Sequence, residues 1–492
     1  MSIVFHHPGR LEAKKTAFPY QVQAVEAVRD LPYAAIFHEP GLGKTKIAVD
    51  LMLYWLAMGR VDTVLVITKK QLVANWIGEL QDHTFLRPRV LNADKRNNFF
   101  VLNGTARVVV TNFEMVSTEK RRILLFAKTR KVGVIIDEST KIKNPDSRLT
   151  RDFFDLSPLC AVKVIMTGTP VANRPYDIWA QVYFLDQGKS LGTDFKAFKR
   201  ETDLSNELSS DPIASDAFED AVASIFDRVR HFSIRETKKT AGIVLPDKVY
   251  ETVVAKMEPL QRSIYDKIVQ DMQLEVERDG AVVLDDDSAA LKRLLRLDQI
   301  ASNPKLVDER YNKVPCKEKL LEDLLSKIIA EGEKCIVWSC FIENVDWFWK
   351  KYAQYKPRRI HGKLSIDDRD MAVKVFKTNP ECKVLFATPQ AAKEGLTLTV
   401  ANHVVFYDRG FNLDDYLQAQ DRIHRISQKK VCYVYNLMAA DSIDQWVDQL
   451  LQAKQRAAFL AQGDMNREDY AKVADYSYGD LIRQILSGRN GI

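Results

Sequence analysis

Short apolar runs alternate with helix-length segments along much of this sequence, and that alternation limits the possible folds more than any other feature. Each run is nearly continuous in apolar residues, as expected for a strand that is covered on both faces. Alternation of such strands with helices predicts a parallel, doubly wound sheet. Between residues 33 and 170 the predicted strands are Ala34–Phe37, Val64–Ile67, Val108–Val110, Val134–Ile136 and Val162–Met166.

The same pattern returns in the second half of the chain, in the runs Ile336–Trp338, Val384–Phe386 and Val404–Tyr407. We therefore predict an α/β fold with two lobes of the same kind, each built on a doubly wound parallel sheet. Two polar, helix-like regions lie between the two sets of strands, and we predict that they are helical insertions.

Changes in composition along the chain give the predicted domain boundaries. Residues 205–215 are too rich in Ser, Asp and Asn to form a core, and the acidic run Asp285–Asp287 is expected to be a solvated loop. We predict an interdomain linker that begins with Leu245–Lys248, between the two helical regions. The predicted domains are lobe 1 at 1–185 with its insertion at 186–244, the linker at 245–255, the insertion of lobe 2 at 256–312, lobe 2 at 313–450 and a C-terminal helical tail at 451–492.

Composition excludes several classes of protein. The chain has 492 residues, of which 46% are hydrophobic and 28% are charged, as in a folded globular protein rather than a disordered one. No window comes near the ~18 unbroken apolar residues of a membrane-spanning helix, and the start lacks the build of a signal peptide. We therefore expect a cytoplasmic protein without a membrane partner. The net charge of +6 permits a nucleic-acid partner without arguing for one.

The segment Glu-Pro-Gly-Leu-Gly-Lys-Thr comes directly after the first predicted strand. A phosphate-binding loop needs this strand–loop–helix context, because glycines such as Gly41 and Gly43 let backbone amides converge on phosphates at the start of a helix. Lys44 would then reach the β- and γ-phosphates of ATP, and the hydroxyl of Thr45 would hold Mg2+. His38 stands where such a loop usually has its first glycine.

Asp137 and Glu138 follow the predicted strand Val134–Ile136. Ligands of doubly wound sheets bind at the carboxyl ends of strands. An acidic pair in that position fits a Walker B site, in which the Asp orders the Mg2+ shell and the Glu positions the attacking water. The pair alone is a weak signal, and its place at a strand end is what favours the functional interpretation.

Near the far end of the chain, Arg422 and Arg425 are three residues apart and are predicted to project from one face of a helix. Two guanidinium groups there would stabilise charge on a transferring γ-phosphoryl group bound to the other lobe. Seen alone, such a pair is more often a charged helix face. Together with the phosphate-binding loop, it suggests an ATP site that is completed only when two domains close.

In their order along the chain and in their residues, these motifs resemble those of superfamily-two helicases of the Swi/Snf type. The resemblance covers about Phe18 to Lys454, which is nearly the whole chain. Ser139–Thr140 replaces the small residue and His that usually follow Asp-Glu in this family. Further matching segments are Phe18–Gln21, Val110–Glu114, Thr167–Pro170, Leu245–Lys248, Ser302–Pro304, His361–Gly362, Gly395–Thr399 and Gln418–Gln428.

The resemblance implies two RecA-like lobes that bind ATP and Mg2+ between them. It also implies that Gln21 reads the adenine ring and that Gly395 belongs to the ATP site. In the second lobe, it implies that Gln418 acts in catalysis together with Arg422 and Arg425.

The resemblance also implies contacts with duplex DNA, mostly to phosphates. Thr167 and Thr169 would couple ATP hydrolysis to these contacts. The implied DNA contacts are Thr111, Asn112, Lys143, Gly362, Lys363 and Thr388.

The leading hypothesis is a DNA-stimulated ATPase that translocates along duplex or branched DNA. It would be monomeric in isolation, associated with the nucleoid, and active in repair, recombination, fork remodelling or defence. One alternative is a strand-separating helicase on single-stranded DNA or RNA, whose lobes look the same in sequence. Another alternative is a subunit in which ATP binding acts as a switch that recruits a partner nuclease.

Overall fold

The computed structural model describes residues 10–171, 173–203, 212–279, 288–391 and 396–473. The chain divides into two compact units, with boundaries between Val244 and Leu245 and between Gln455 and Arg456. The first unit holds the described residues up to Val244 together with Arg456–Val473, and the second unit holds those from Leu245 to Gln455.

The first unit is built on a parallel sheet whose described strands run in the order β3-β4-β2-β5-β6-β1-β7. All neighbouring strands in this order are parallel, so the connections cross over the faces of the sheet. The strands are β1 (Tyr33–Ile36), β2 (Thr63–Thr68), β3 (Arg89–Val90), β4 (Val108–Asn112), β5 (Val132–Asp137), β6 (Val162–Met166) and β7 (Ser233–Ile234).

Helices connect these strands, and several begin at a side-chain cap. Asp94, Ser147 and Asp194 each accept a hydrogen bond from a backbone amide of the helix that follows. The helices of the first unit are α1 (Pro19–Val28), α2 (Lys44–Ala57), α3 (Val73–His83), α4 (Lys95–Asn103), α5 (Phe113–Thr118), α6 (Lys120–Lys128), α7 (Arg148–Leu156), α8 (Trp179–Asp186), α9 (Phe195–Thr202) and α10 (Pro212–Val229).

The core of the first unit includes α2 and the central strands. Ile47, Met52 and Trp55 of α2 are almost completely buried, and so are Val64 and Val66 of β2. Burial of a side chain of this size contributes roughly 1.5–3 kcal/mol, so this packing holds α2 against the sheet.

The second unit is built on another parallel sheet, in which the described strands run in the order β10-β11-β9-β12-β13-β8. Its central strand β9 is buried along its whole length, as expected for a strand with helices on both faces. The strands are β8 (Lys248–Ala255), β9 (Cys335–Trp338), β10 (Arg358–Ile360), β11 (Val384–Ala387), β12 (His403–Phe406) and β13 (Cys432–Ala439).

The helices of the second unit include the pair α11–α12 inside the predicted insertion of lobe 2. They are α11 (Pro259–Asp279), α12 (Ser288–Ser302), α13 (Cys316–Ala330), α14 (Ile342–Lys351), α15 (Ile366–Thr378) and α16 (Leu413–Gln420). Helix α17 (Ile443–Gln462) begins in the second unit, and its residues from Arg456 onward belong to the first. A last helix, α18 (Arg467–Val473), belongs to the first unit. In the described part of the chain, no helix is long and apolar enough to span a membrane.

The predicted fold class is confirmed, because both units are α/β with parallel sheets. The predicted strands appear within a residue or two of their expected positions. The predicted solvated loop at Asp285–Asp287 lies outside the described residues. Of the stretch 205–215, which was predicted not to form a core, only 212–215 are described, and they begin α10.

The predicted interdomain linker at 245–255 begins where the two units divide, between Val244 and Leu245, but it is more than a connecting segment. Most of it forms β8, which pairs with β13 over its whole length, from Lys248 opposite Cys432 to Ala255 opposite Ala439. Much of β8 is exposed, so its residues carry no apolar run that marks a buried strand.

Two other boundaries differ from the predictions. The predicted insertion at 186–244 includes β7, which extends the first sheet by pairing with β1. The predicted boundary between lobe 2 and the tail, at 450 and 451, lies inside the continuous helix α17, and Arg456–Val473 belong to the first unit.

We predict that a buried ion pair stabilises the second unit. Lys317 on α13 is fully buried, and its ammonium lies 2.6 Å from a carboxylate oxygen of Asp444. Lys317→Ala would leave the buried Asp444 without this counter-charge, and we expect the free energy of unfolding to fall by about 3–5 kcal/mol. Urea denaturation followed by circular dichroism measures the change.

The matched control is Lys319→Ala, because Lys319 is on the same helix and is exposed. This surface change is expected to alter the free energy of unfolding by less than ~0.5 kcal/mol. Equal losses in the two variants would show that the buried pair contributes nothing special.

Candidate active site

The predicted phosphate-binding loop lies between β1 and α2. Gly41 and Gly43 have φ values of 92° and 67°, in the left-handed region that favours glycine. A Cβ atom on Gly43 would lie 2.4 Å from Nε2 of Gln21. The backbone conformation therefore favours glycine at position 43, and a Cβ atom there would have to displace the side-chain amide of Gln21 from its hydrogen bonds.

Lys44 is the first residue of α2, and its side chain turns back over the loop. Its ammonium donates hydrogen bonds to the carbonyl oxygens of His38, at 2.8 Å, and Glu39, at 3.3 Å. Burial lowers the pKa of Lys44, while the carboxylates of Glu138 and Asp137 raise it. The lysine is thus held inside the loop, near both acidic residues of the predicted Walker B pair.

Gln21 fixes the outer side of the loop. Its Oε1 accepts a hydrogen bond from the amide of Phe18 at 3.0 Å, and its Nε2 donates to the carbonyl of Leu42 at 3.2 Å. The hydroxyl of Tyr20 donates to the same carbonyl at 3.2 Å. Gln21 therefore lies against the loop that it was predicted to assist, and its reading of adenine stays a prediction.

The acidic pair lies at the end of β5, as predicted, with Asp137 as the last residue of the strand. Oδ2 of Asp137 accepts hydrogen bonds from Nε1 of Trp76, at 2.8 Å, and from Oγ1 of Thr68, at 3.2 Å. Burial and the adjacent Glu138 raise the pKa of Asp137, whereas the Trp76, Lys44 and Thr68 groups lower it. Sequence analysis did not find Trp76 or Thr68, since no motif marks either residue.

Glu138 has an unusual backbone conformation. Its φ of 57° places a non-glycine residue in the left-handed region, a conformation that is often found at functional sites. One carboxylate oxygen of Glu138 lies 4.0 Å from the ammonium of Lys69. The two carboxylates thus have different neighbours, Trp76 and Thr68 for Asp137 and Lys69 for Glu138, which is consistent with separate roles.

The donor groups at this position fit Mg2+. The ion prefers oxygen ligands and usually binds through one or two carboxylates together with substrate phosphates. Asp137 offers a half-buried carboxylate, and Thr45 offers a half-buried hydroxyl next to the lysine of the loop. These two residues would hold Mg2+, which neutralises phosphate charge during hydrolysis.

The predicted coupling loop Thr167–Pro170 follows β6 and lies against the phosphate-binding loop. Oγ1 of Thr167 accepts a hydrogen bond from the amide of Thr169 at 3.2 Å. A Cβ atom on Gly168 would lie 2.7 Å from side-chain carbons of Pro40. The two loops are therefore in close contact, and a larger residue at position 168 does not fit.

A buried chain of hydrogen bonds joins the acidic segment to the coupling loop. The hydroxyl of Ser139 donates to Oε1 of Gln181 at 2.7 Å, and Nε2 of Gln181 donates to the carbonyl of Pro170 at 2.9 Å. Ser139 and Gln181 are both fully buried. Gln181 lies in no recognised motif and was not found from the sequence.

In the second unit, Gln418 lies near the end of α16, and the two arginines follow that helix. Nε2 of Gln418 donates to Oδ1 of Asp414 at 2.7 Å, and Nε of Arg422 donates to the Gln418 carbonyl at 3.0 Å. Nη1 of Arg425 donates to Oγ1 of Thr397 at 2.7 Å, and burial lowers the pKa of Arg425.

The prediction that Arg422 and Arg425 share a helix face is wrong. Helix α16 ends at Gln420, and the chain continues in turns. The carbonyl of Arg422 accepts a hydrogen bond from the amide of Leu398 instead of from a helical turn. Hydrogen bonds to neighbouring loops thus orient both guanidinium groups. Gly395, predicted for the ATP site, lies outside the described residues.

The predicted DNA contacts differ in their exposure. Thr111 is fully buried, and Thr388 is nearly so. Asn112 caps α5 by accepting a hydrogen bond from the amide of Met115. These side chains serve the fold of their own unit, and their DNA contacts stay predictions.

The other three predicted DNA contacts are more accessible. Lys143 is partly exposed and pairs with Asp177 at 2.8 Å. Gly362 is exposed, and a Cβ atom there would meet nothing within 4 Å. The side chain of Lys363 is 68% exposed, so it is the most accessible cation of the predicted set.

The fold and the site define a P-loop NTPase with two parallel-sheet units. Residues 20–306 match the family model of the SNF2-related domain, and residues 316–427 match that of the helicase conserved C-terminal domain. The chain belongs to the SNF2-related family, and the resemblance to Swi/Snf helicases is confirmed.

Similar curated proteins come from bacteria and eukaryotes. The protein YwqA of Bacillus subtilis is 27% identical over 90% of this chain and 48% of its own length. The transcription regulatory protein SNF2 of Saccharomyces cerevisiae is 26% identical over 83% of this chain and 25% of its own length. The human lymphoid-specific helicase is 24% identical over 89% of this chain and 62% of its own length. The chain thus spans less than two thirds of each of these relatives.

Two solved structures of the SWI2/SNF2 ATPase core of Sulfolobus solfataricus are also similar. One, in complex with dsDNA, is 23% identical and matches over 96% of this chain and 97% of its own, with a TM-score of 0.43. The other is 22% identical and matches over 97% of this chain and 98% of its own, with a TM-score of 0.41. The family assignment rests on the sequence matches.

We predict that Gly43→Ala will weaken ATP binding at least tenfold. The added methyl group would strain the left-handed backbone and collide with Gln21. Titration with a fluorescent ATP analogue measures the affinity. Gly59→Ala is the matched control, because Gly59 has a similar φ of 64° but open space around it. If the unchanged chain, Gly43→Ala and Gly59→Ala bound the ATP analogue with equal affinity, a role of this loop in binding nucleotide would be contradicted.

Proposed function

We propose that this chain is an ATP-hydrolysing enzyme that translocates along duplex or branched DNA. One observation carries the proposal: in a member of the SNF2-related family, the ammonium of Lys44 turns back onto the phosphate-binding loop, and this loop leaves the sheet at the same edge at which β5 ends in Asp137. Such a constellation is what binding and hydrolysis of a nucleoside triphosphate require.

The proposed roles in the first unit follow from the chemistry of each side chain. Lys44 binds the β- and γ-phosphates, and Thr45 and Asp137 hold Mg2+. Glu138, whose carboxylate has a different neighbour from that of Asp137, positions the attacking water. Gln21 supports the loop and reads the adenine ring.

In the second unit, we assign Gln418, Arg422 and Arg425 to the same reaction. Arginine stabilises the charge that develops on a transferring phosphoryl group, and its loss usually costs several orders of magnitude in rate. Both guanidinium groups are held by neighbouring backbone or hydroxyl oxygens, which limits their motion.

We propose that coupling to DNA runs through the Ser139–Gln181–Pro170 chain of hydrogen bonds. Ser139 follows the residue assigned to the attacking water, and Pro170 ends the predicted coupling loop with Thr167 and Thr169. A shift of the acidic segment during hydrolysis would move the loop, because buried hydrogen bonds are costly to break.

The proposed track is DNA, which the family and the accessible cation Lys363 support. Binding to the phosphate backbone would be largely independent of sequence and strongly dependent on salt. The proposed DNA contacts are Thr111, Asn112, Lys143, Gly362, Lys363 and Thr388. Such an enzyme would act where the DNA is, in the cytoplasm or nucleoid.

Steady-state ATP hydrolysis at low salt tests the proposal. The rate is measured without nucleic acid and with single-stranded DNA, duplex DNA, branched DNA or RNA, and Lys44→Ala controls for contaminating ATPases. We expect the strongest stimulation from duplex or branched DNA. Stimulation by single strands or RNA alone would favour a strand-separating helicase, and a rate that no nucleic acid changes would favour an ATP-switched subunit.

For the coupling chain, we predict that Ser139→Ala will lower the stimulation of ATP hydrolysis by DNA severalfold. The substitution removes the hydroxyl that donates to Gln181 and leaves the phosphate-binding loop intact. The ratio of the DNA-stimulated rate to the basal rate measures coupling. Ser157→Ala is the matched control, since Ser157 is equally buried and donates to the carbonyl of Phe184 instead. An unchanged ratio in Ser139→Ala would contradict this route.

A further inference from the structure

Hydrogen bonds hold the carboxylate of Asp137 through only one of its two oxygens. Oδ2 accepts both hydrogen bonds, from the indole of Trp76 at 2.8 Å and from the hydroxyl of Thr68 at 3.2 Å. Among the described residues, none donates a hydrogen bond to Oδ1. The two oxygens of this carboxylate are therefore not equivalent, and Oδ1 is the oxygen that is available to the ligand shell of a metal ion.

The two donors are themselves firmly held. Trp76 is only 2% exposed and belongs to the core cluster that contains α2 and the central strands. Thr68 is fully buried at the end of β2, and β2 pairs with β5 up to Ile67 opposite Ile136, one residue before Asp137. A carboxylate that receives two hydrogen bonds from such positions cannot rotate freely about its Cβ–Cγ bond.

We propose that Trp76 is a positioning residue that presents Oδ1 of Asp137 to Mg2+. The proposal rests on the proposed function in one respect, the use of Mg2+ with ATP. Trp76 acts only through Asp137 and touches neither the nucleotide nor the ion. Partners that orient a metal-binding carboxylate typically raise metal affinity by 10–100-fold, because the free carboxylate would otherwise have to be ordered when the ion binds.

Trp76→Phe tests this assignment, because phenylalanine keeps an aromatic ring and removes the N–H donor. Mn2+ replaces Mg2+ as the probe, and electron paramagnetic resonance measures its binding in the presence of a non-hydrolysable ATP analogue. We expect the dissociation constant of Mn2+ to rise roughly tenfold or more. This readout needs no turnover of ATP.

Trp55→Phe is the matched control. Trp55 is also buried, on α2, and its Nε1 donates to the carbonyl of Arg29 at 3.1 Å. This variant loses the same kind of hydrogen bond without touching Asp137, so its affinity for Mn2+ should equal that of the unchanged chain. A tenfold loss in Trp55→Phe as well would overturn the proposal, because the effect would then be general.

Thr68→Val provides a second test that does not depend on the folding of Trp76→Phe. Valine keeps the shape of threonine and removes the second donor to Oδ2, so Mn2+ affinity should also fall, by a smaller factor. Thermal unfolding shows which variants are folded. In an Asp137→Asn background, Trp76→Phe should have no further effect on Mn2+ binding. Unchanged Mn2+ affinity in the folded variants would overturn the proposal.

The outcome can be separated from that of the proposed function. If the unchanged chain binds Mn2+ with nucleotide but never hydrolyses ATP, the proposed function fails and the role of Trp76 can still be measured. If the chain hydrolyses ATP with DNA and Trp76→Phe keeps full Mn2+ affinity, the role of Trp76 alone fails. If the unchanged chain does not bind Mn2+ with nucleotide, both fail.

Discussion

The parallel pairing of β1, β6 and β5 is the constraint on which the rest of the site depends. Ile36 at the end of β1 lies opposite Met166 at the end of β6, and Met166 lies opposite Asp137 at the end of β5. Because the strands are parallel, the chain leaves all three at the same edge of the sheet. The phosphate-binding loop, the acidic pair and the coupling loop therefore start side by side, although they are far apart in sequence.

Burial at this edge makes the charges of the site interdependent. It lowers the pKa of Lys44 and raises that of Asp137, so each ionised group is stabilised partly by the other. In the proposed reaction, a nucleotide that arrives with Mg2+ would add negative phosphates near the lysine and a cation near the carboxylate, and would thus give each group a partner of opposite charge. The hydrogen bonds from Ser139 through Gln181 to Pro170 join the acidic segment to the loop that we propose responds to DNA.

The sequence was sufficient for the parts of this account that depend on local patterns. Apolar runs predicted the central strands, and Lys44 and Asp137 were found from glycines and acidic residues at strand ends. The edge strand β8 escaped prediction because several consecutive residues, 249–252, are exposed, so the strand has no continuous apolar run. Trp76 and Gln181 escaped it because their roles come from tertiary contacts that no spacing in the chain records. The helix predicted at Arg422 failed because loop hydrogen bonds replace helical ones there.

We propose that ATP hydrolysis in this chain drives movement along duplex DNA. Displacement of a fluorescent third strand from a triplex is a direct test, because the third strand is removed only by a protein that travels along the duplex. We expect rapid, ATP-dependent displacement by the unchanged chain and none by Glu138→Gln, which keeps the loop but loses the carboxylate proposed to position water. Vigorous DNA-stimulated hydrolysis without displacement of the third strand would contradict it.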